Sequence, residues 1–439
     1  MDSSVNKRCT HCYFFTFSFC VNFENREEWV PLLFLGVTMI KRFLSALSIG
    51  CAFWACDNSM PSDYISGDTP TSSNSNPNVV AVDYSLGRAM NARLGRGINL
   101  GNSWDSQGYD DSGWNNPIRD SDFATIKAAG FNSVRIPVQW HQDADKTTHT
   151  VSPTRLQGVK EDIQLAINNG LAVVVNFHHY SDLNCAGGGG NKWDPVKKTQ
   201  VKCTYNAAEF EAEKAHFLGM WAQLAQELNS FSDTMLVLEI LNEPVIPKID
   251  LVNQLMNEAH AVIRTYAPNK TIMFEANSYA KFGLISSMKL PQDGNIIFTG
   301  HYYEPYQYSH QGQHGHQCLG DAAYSNSASE NLMYYKSLAK TSYPDVNKVD
   351  QVPLNMGEFG IAGGSDMGTC TYYDKDGNPI EGVWPSDQKK AEWAQKTAQA
   401  AIANGISFHY WGFTQTGGFE AYNYYKNTWY QGFPQALLQ

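Results

Sequence analysis

The chain has few charged residues and no long basic segment. Only 17% of its 439 residues are Asp, Glu, Lys or Arg, the formal net charge is −11, and basic residues occur in runs no longer than pairs such as Lys41-Arg42. A surface of this sign repels phosphate backbones, which argues against a nucleic-acid partner. The sequence also lacks G-x-G-x-x-G and Walker patterns, which argues against the common nucleotide-binding folds.

Apolar and aromatic residues are plentiful by contrast. The hydrophobic fraction is 43%, which is enough for a large core and excludes wholesale disorder. The chain contains 11 Trp, 23 Tyr and 22 Phe. Many rings beside few charges suit a protein that stacks aromatic side chains on a neutral, hydroxyl-rich ligand such as a sugar.

The first part of the chain resembles a processing signal more than a domain. Residues 1–38 show no helical or strand period, whereas Lys41-Arg42 and the apolar run 43–55 have the layout of a secretory signal peptide. The apolar run is shorter than the roughly 20 residues of a membrane-spanning helix. We therefore expect that Met39 is the true start, that 1–38 is upstream sequence translated by mistake, and that 39–56 is the signal.

The end of this signal leaves two possibilities open. A small residue before Cys56 resembles a bacterial lipoprotein signal, in which that cysteine is lipidated, and ordinary secretion is the alternative. Residues 57–82 are rich in Ser, Asn and Pro, which is typical of a flexible linker. We expect a secreted protein, or one on the outer surface of a bacterial cell.

From residue 83 to the C-terminus, short apolar runs alternate with amphipathic stretches. The apolar runs predict strands over 96–100, 133–138, 171–177, 235–241, 271–275, 296–299, 353–356 and 406–411. Strands that alternate with helices indicate βα units and a parallel sheet covered on both faces. Eight such units predict an α/β protein whose single domain, 83–439, is a (β/α)8 TIM barrel.

Polar residues stand where several predicted strands end, the edge of a barrel that carries active sites. Arg135 lies inside an apolar run and needs a carboxylate partner, either in a structural ion pair or beside a catalytic carboxylate. Glu243 and Glu358 end the fourth and seventh strands, across the mouth from each other. Glycoside hydrolysis uses such a pair, in which one group protonates the leaving oxygen and the other attacks or activates water. Other polar or aromatic residues near strand ends are Asn99, Asn102, His178, His179, Asn242, His301, Tyr303 and Trp411.

A family resemblance rests on these residues. In chain order they are Arg135, His178, Asn242-Glu243-Pro244, His301-x-Tyr303, Glu358 and Trp411. The set, which spans nearly all of 90–415, resembles glycoside hydrolase family 5, the cellulase family of clan A. The stretches most similar to bacterial endoglucanases of that family are Gly97-Ile-Asn-Leu-Gly-Asn102, Val173-Val-Val-Asn-Phe-His-His-Tyr180 and Gly300-His-Tyr-Tyr-Glu-Pro305.

The resemblance implies roles for the two glutamates. Glu243 would be the acid/base and Glu358 the nucleophile of an endo-acting β-1,4-glucanase that retains anomeric configuration and cleaves a cellulose- or lichenan-type polysaccharide. Glu358 must be ionised to attack, so we expect Arg135 beside it and Tyr303 as a hydrogen-bond donor. Glu243 must carry a proton, so we expect its pKa to be raised.

We expect the remaining site residues to support these two or to bind sugar. Asn242 would donate to the sugar 2-hydroxyl, His301 would orient Glu243, and Trp411 would form the floor under the reacting sugar, with His178 lining the same subsite. The other expected substrate-binding residues are Asn99, Asn102, Trp104, His179 and Trp193. Two further tryptophans near the mouth, Trp140 and Trp384, are either packing residues or sugar platforms.

Four cysteines fall in the predicted barrel and allow three pairings. Because Cys185 and Cys203 bracket a glycine-rich loop, we pair them first, which leaves Cys318 with Cys370. An exported protein favours such disulfides.

Several alternatives stay open at this point. A β-mannanase or xyloglucanase of the same family fits equally well, because loops decide that choice. A carbohydrate-binding barrel would need neither glutamate. A metal-dependent hydrolase could use His178, His179 and His301, and the His310–His316 segment is either a metal site or a polar loop, of which we favour the loop. We expect no metal, no cofactor and a monomer.

Overall fold

The computed structural model describes residues 80–106, 110–347 and 350–439. The predicted upstream segment 1–38, the signal 39–56 with Cys56, and most of the linker 57–82 lie outside the described residues. Val82 already donates a backbone hydrogen bond to Pro344, so the barrel domain extends at least one residue before the predicted boundary. Among the described helices, none is long and apolar enough to cross a membrane.

Eight parallel strands close into a barrel in sequential order, which confirms the predicted fold. Each predicted strand is present, although its ends shift by up to three residues. Nearly every residue of these strands is buried, because helices cover the outside and side chains fill the inside. The strands are β1 Arg96–Asn99, β2 Ser133–Ile136, β3 Ala172–Asn176, β4 Leu236–Glu239, β5 Thr271–Glu275, β6 Ile296–His301, β7 Leu354–Phe359 and β8 Ser407–Tyr410.

The outer layer consists of helices whose apolar stripes face the strands. Each of α3, α4 and α7 begins at a side-chain cap, such as Asn206, which accepts from the first-turn amides of α4. In the described part of the chain the helices of ten or more residues are α1 Ser85–Leu94, α2 Asp120–Ala129, α3 Pro153–Asn168, α4 Ala207–Leu228, α5 Ile249–Tyr266, α6 Ala328–Ser342 and α7 Asp387–Ala403.

The first helix, α1, closes the amino-terminal end of the barrel and was not predicted. Met90 and Leu94 pack with Val174, Met273 and other inward-facing strand residues in a separate buried cluster. Because the bottom of the barrel is sealed in this way, chemistry is confined to the carboxyl ends of the strands.

Both predicted disulfides are present and lie in loops at that carboxyl end. Cys185–Cys203 closes the loop after β3, which contains the hairpin of strands Asn191–Asp194 and Thr199–Lys202. Cys318–Cys370 joins the loop after β6 to the loop after β7. The glycine-rich run is tightly packed, since a Cβ on Gly189 would lie 2.0 Å from the carbonyl oxygen of Val245. The β3 loop therefore rests directly on the segment that follows Glu243.

Candidate active site

The two predicted catalytic carboxyl groups face each other at the carboxyl end of the barrel. Glu358 lies within β7 and is 6% exposed, and Glu243 lies four residues after β4. Carboxylate oxygens of the two residues lie within 4.8 Å of each other. Retaining glycosidases hold their carboxyl groups about 5–5.5 Å apart, whereas inverting enzymes need about 6.5–9.5 Å to admit a water. The arrangement therefore fits direct attack on the sugar.

Arg135 uses all five of its N–H donors beneath this pair. Nε and Nη2 donate to the two oxygens of Glu239 at 2.8 and 2.7 Å, and Nη1 donates to Glu358 Oε1 at 2.8 Å. The remaining two bonds reach Asn242 Oδ1 at 2.6 Å and Asn99 Oδ1 at 2.9 Å. Both interpretations of Arg135 are thus present at once, an ion pair across the barrel and a cation beside Glu358.

Tyr303 and His301 bind the two glutamates from β6 and the loop that follows it. The Tyr303 hydroxyl donates to Glu358 Oε2 at 3.0 Å. His301 Nδ1 lies 2.8 Å from Glu243 Oε1 and 3.6 Å from Glu358 Oε2. Both contacts are those expected from the sequence.

The prediction that the pKa of Glu243 is raised is wrong. Burial by itself would raise the pKa, but the hydrogen bond and the charge of His301, together with the charges of His179 and Arg135, lower it below the usual range of a glutamate. The cleft is open at this side, since the Glu243 side chain is 23% exposed. A bound sugar that covered the carboxyl group would remove that exposure, and the added burial would act to raise the pKa of Glu243.

The two asparagines of the site differ in what they can reach. Asn242 accepts from Arg135 through Oδ1, and its buried Nδ2 has no hydrogen-bond partner among the described residues. That N–H donor is available to a sugar hydroxyl. Asn99 was predicted to bind substrate, but it is fully buried and donates to the carbonyl oxygens of Gly357 and His409. Its role is to hold Arg135, and the prediction of sugar contact is wrong.

His178, His179 and Trp411 lie side by side at the mouth. The rings of His178 and Trp411 are parallel at 6.0 Å, and the His179 ring meets His178 edge-on at 4.0 Å. Burial lowers the pKa of His178 well below its usual value, so this ring is neutral. Its Nε2 points towards the buried carboxyl of Asp105 at 4.0 Å. Asn102 lies next to this group and donates to the carbonyl oxygen of Gln415.

Trp104, which was predicted to bind substrate, and Trp140, for which packing was one of two alternatives, are both core residues. Trp104 is 5% exposed, and its indole N–H donates to Asp162 at 2.6 Å, so its predicted contact with substrate is wrong. Trp140 is fully buried, with its N–H bonded to the carbonyl of Asn176. Trp193 stands 52% exposed on the disulfide-closed hairpin after β3. Trp384 packs against the backbone at Gly312.

The histidine-rich segment after β6 is a packed loop rather than a ligand cluster. The His310 ring stacks on Tyr306 at 4.0 Å and meets Tyr303 edge-on at 4.9 Å. In the part of the chain that the structure describes, the one group of three side chains close enough to share a metal ion is Glu243, His301 and Glu358. Neither the His310–His316 segment nor the set of His178, His179 and His301 forms such a group.

Two buried carboxyl groups beneath the site were missed at the sequence level. Glu239 ends β4 and Glu275 ends β5, and both are fully buried. Burial would raise the pKa of Glu239, but the charge and hydrogen bonds of Arg135 lower it. Burial and the neighbouring Glu239 carboxylate raise the pKa of Glu275 well above its usual value. Both glutamates could have been recognised by the pattern that singled out Arg135, which is a charged residue within an apolar strand.

This geometry agrees with a comparison against known protein families. The family model described as cellulase (glycosyl hydrolase family 5) matches residues 96–417, which is most of the chain. The chain belongs to glycosyl hydrolase family 5. The matched range begins at β1, ends after β8 and includes every residue of the site described above.

Two curated relatives of this family 5 chain are longer proteins. Endoglucanase A of Clostridium longisporum is 27% identical over 61% of this chain and 52% of its own length. Endoglucanase H of Acetivibrio thermocellus is 27% identical over 51% of this chain and 22% of its own length. The chain therefore spans about half or less of the length of these relatives.

Solved structures of similar proteins are matched over nearly their full length. A hyperthermophilic endo-β-1,4-glucanase in complex with substrate has a TM-score of 0.62 and 25% identity, over 81% of this chain and 100% of its own. Thermotoga maritima Cel5A in complex with mannotriose has a TM-score of 0.62 and 27% identity, over 80% of this chain and 99% of its own.

Proposed function

We propose that the chain is a retaining, endo-acting β-1,4-glucanase that uses Glu358 as nucleophile and Glu243 as acid/base. The observation that carries this proposal is the separation of the two carboxyl groups, whose oxygens lie within 4.8 Å of each other. A water cannot be placed between groups this close in the way that an inverting mechanism requires.

In the first step, a Glu358 oxygen attacks the anomeric carbon, the glycosidic bond breaks, and Glu243 gives its proton to the leaving oxygen. Arg135 and Tyr303 each donate a hydrogen bond to one oxygen of Glu358 and hold that carboxyl group in place for attack. The open donor of Asn242 is placed to bind the 2-hydroxyl as positive charge develops on the ring.

In the second step, Glu243 takes a proton from a water molecule, the water oxygen attacks the anomeric carbon, and the bond to Glu358 breaks. Glu358 carries no charge while it is esterified. The loss of this nearby negative charge lowers the pKa of Glu243, which suits a base. The lowered pKa of Glu243 has the direction that this second step needs, and a sugar that covered the carboxyl group would oppose it through burial in the first step.

The choice of β-1,4-glucan rests on the similar proteins, which include an endo-β-1,4-glucanase and several endoglucanases. A β-mannanase is the second candidate, because Thermotoga maritima Cel5A is described with mannotriose as well as cellobiose. A xyloglucanase is a third candidate, which the inclusion of xyloglucan in the substrate panel tests.

The experiment is a substrate panel of carboxymethylcellulose, lichenan, glucomannan and xyloglucan, assayed with the wild type and with Glu358→Gln as the inactive control. Hydrolysis of lichenan and carboxymethylcellulose, with a fall in viscosity well ahead of reducing-end release, is expected for internal cleavage. Binding without hydrolysis would instead indicate a carbohydrate-binding barrel. Activity that disappears with a strong chelator and returns with metal would favour the metal-dependent alternative.

Export, lipidation at Cys56 and a monomeric state are further parts of the proposal. The mass of the mature N-terminus from the native host separates a lipidated Cys56 from ordinary secretion, and peptides from 1–38 would refute a start at Met39. Light scattering of the purified protein tests the monomer.

A further inference from the structure

Glu275 touches the acid/base from a direction that the two-glutamate mechanism does not use. Glu275 Oε1 accepts a 2.6 Å hydrogen bond from the backbone N–H of Glu243. The same oxygen lies 3.7 Å from His301 Nε2, while the other ring nitrogen of His301 contacts the Glu243 carboxyl group. One side chain at the end of β5 therefore borders both the backbone and the side-chain partner of the proposed acid.

The backbone at Glu243 needs such support. Its φ is +49°, in the left-handed region that residues other than glycine rarely adopt. A conformation of this kind persists when the surrounding contacts fix it. The loop after β5 makes a second contact with the same segment, since Asn277 Nδ2 donates to the carbonyl oxygen of Ile246 at 2.8 Å.

The charges around Glu275 favour its neutral form. Glu239, from the neighbouring strand, is a carboxylate paired with Arg135, and the nearest histidine is His301. The oxygens of Glu239 accept hydrogen bonds from Arg135 and Asn176, so Glu239 is the member of the pair that is held as an anion. Glu275 Oε2 is buried and has no hydrogen-bond partner among the described residues, so no donor stabilises a charge on that oxygen. If Glu275 were ionised as well, Glu239 and Glu275 would be two buried anions side by side. The one arginine beside them, Arg135, also pairs with Glu358.

We propose that Glu275 is a positioning residue that, as a neutral carboxylic acid, holds the backbone of Glu243 and faces His301, so that Glu243 stays aimed at the leaving oxygen. This inference rests on the proposed function. In the neutral form the proton resides on Oε2, and Oε1 stays the acceptor for the backbone N–H of Glu243. Glutamine offers the same pattern, with an N–H donor and a carbonyl acceptor, whereas alanine offers neither.

The test compares Glu275→Gln with Glu275→Ala on aryl cellobiosides whose leaving groups range from dinitrophenol to phenol. Glu275→Gln is expected to keep kcat within about threefold and to leave the pH profile unchanged. Glu275→Ala is expected to lose on the order of 10²-fold in kcat/KM on the phenyl substrate but almost nothing in kcat/KM on the dinitrophenyl substrate, whose leaving group needs no acid. A merely structural role would reduce kcat/KM equally for both substrates.

Asp162→Asn is the matched control, because Asp162 is another buried carboxyl group but lies on α3 and bonds to Trp104. It should not change the dependence on leaving group. The inference is overturned if Glu275→Gln shifts the pH profile or loses on the order of 10²-fold, an outcome that can be read even if Glu275→Ala does not fold. If the wild type hydrolyses no glycoside at all, the proposed function fails; if it does and the Glu275 variants behave as the control does, only this inference fails.

Discussion

Replacing Arg135 with methionine should destabilise the protein severely. The guanidinium is fully buried and donates five hydrogen bonds, three of them to carboxylates. Methionine has similar length but leaves Glu239 as a buried anion with no cation beside it. Removing one partner of a buried ion pair typically costs about 3–5 kcal/mol. We expect the free energy of unfolding at pH 7 to fall by about that amount.

The loss of stability caused by Arg135→Met should depend on pH. In the wild type the pKa of Glu239 is below that of an unfolded glutamate, roughly 4.3. A depressed folded-state pKa contributes stability that is present above the unfolded value and is lost as the pH falls through the folded value. In Arg135→Met that contribution is absent and burial favours the protonated form. The difference between the two proteins should therefore be largest near neutral pH and shrink as the pH falls below about 4.

Urea unfolding followed by tryptophan fluorescence at several pH values measures both effects. The double variant Arg135→Met with Glu239→Gln should recover much of the stability at pH 7, because it removes the unpaired charge. Arg135→Lys keeps the charge but not the planar fork and should fall between the wild type and Arg135→Met. A loss below about 1 kcal/mol, or one that does not change with pH, would refute the reasoning.

Three more predictions concern a loop disulfide and two tryptophans. Replacing both Cys185 and Cys203 with serine should lower the free energy of unfolding by about 3 kcal/mol through the freed loop, and an unchanged thermal midpoint would contradict this. Trp104→Phe should lower stability by about 1–3 kcal/mol, because Asp162 loses its donor, with little change in KM. Trp411→Ala should instead lower kcat/KM on soluble glucan by at least about tenfold while leaving the unfolding midpoint nearly unchanged. If Trp104→Phe lowered kcat/KM and Trp411→Ala lowered stability, the assignment of Trp104 to the core and Trp411 to the sugar site would be wrong.

Strand ends were the part of the site that could be predicted from sequence. Because the carboxyl ends of parallel strands meet at one edge of a barrel, Glu243 and Glu358 were placed together without coordinates. Arg135 was recognisable because a charge in an apolar run needs a partner. One partner, Glu358, was expected and is confirmed, but Glu239 was missed, because it comes from a strand far from Arg135 in the sequence.

Side-chain direction was the part that could not be predicted. Trp104 and Trp193 both belong to loops at the mouth, yet one fills the core and the other is half exposed. Asn99 ends β1 and Asn242 lies shortly after β4. The Asn99 side chain nevertheless contacts Arg135 and backbone carbonyls instead of facing the mouth of the barrel. The lowered pKa of Glu243 likewise depends on the 2.8 Å contact with His301, which sequence spacing does not reveal.

The configuration of the products formed with azide tests the central claim most directly. Proton NMR of the first product from an activated aryl cellobioside should show the β-anomer for the wild type. Glu358→Ala with azide should give the α-glycosyl azide, and Glu243→Ala with azide should give the β-glycosyl azide. An α-anomer as the first wild-type product, or full hydrolysis by Glu358→Ala without azide, would contradict the assignment of Glu358 as the nucleophile.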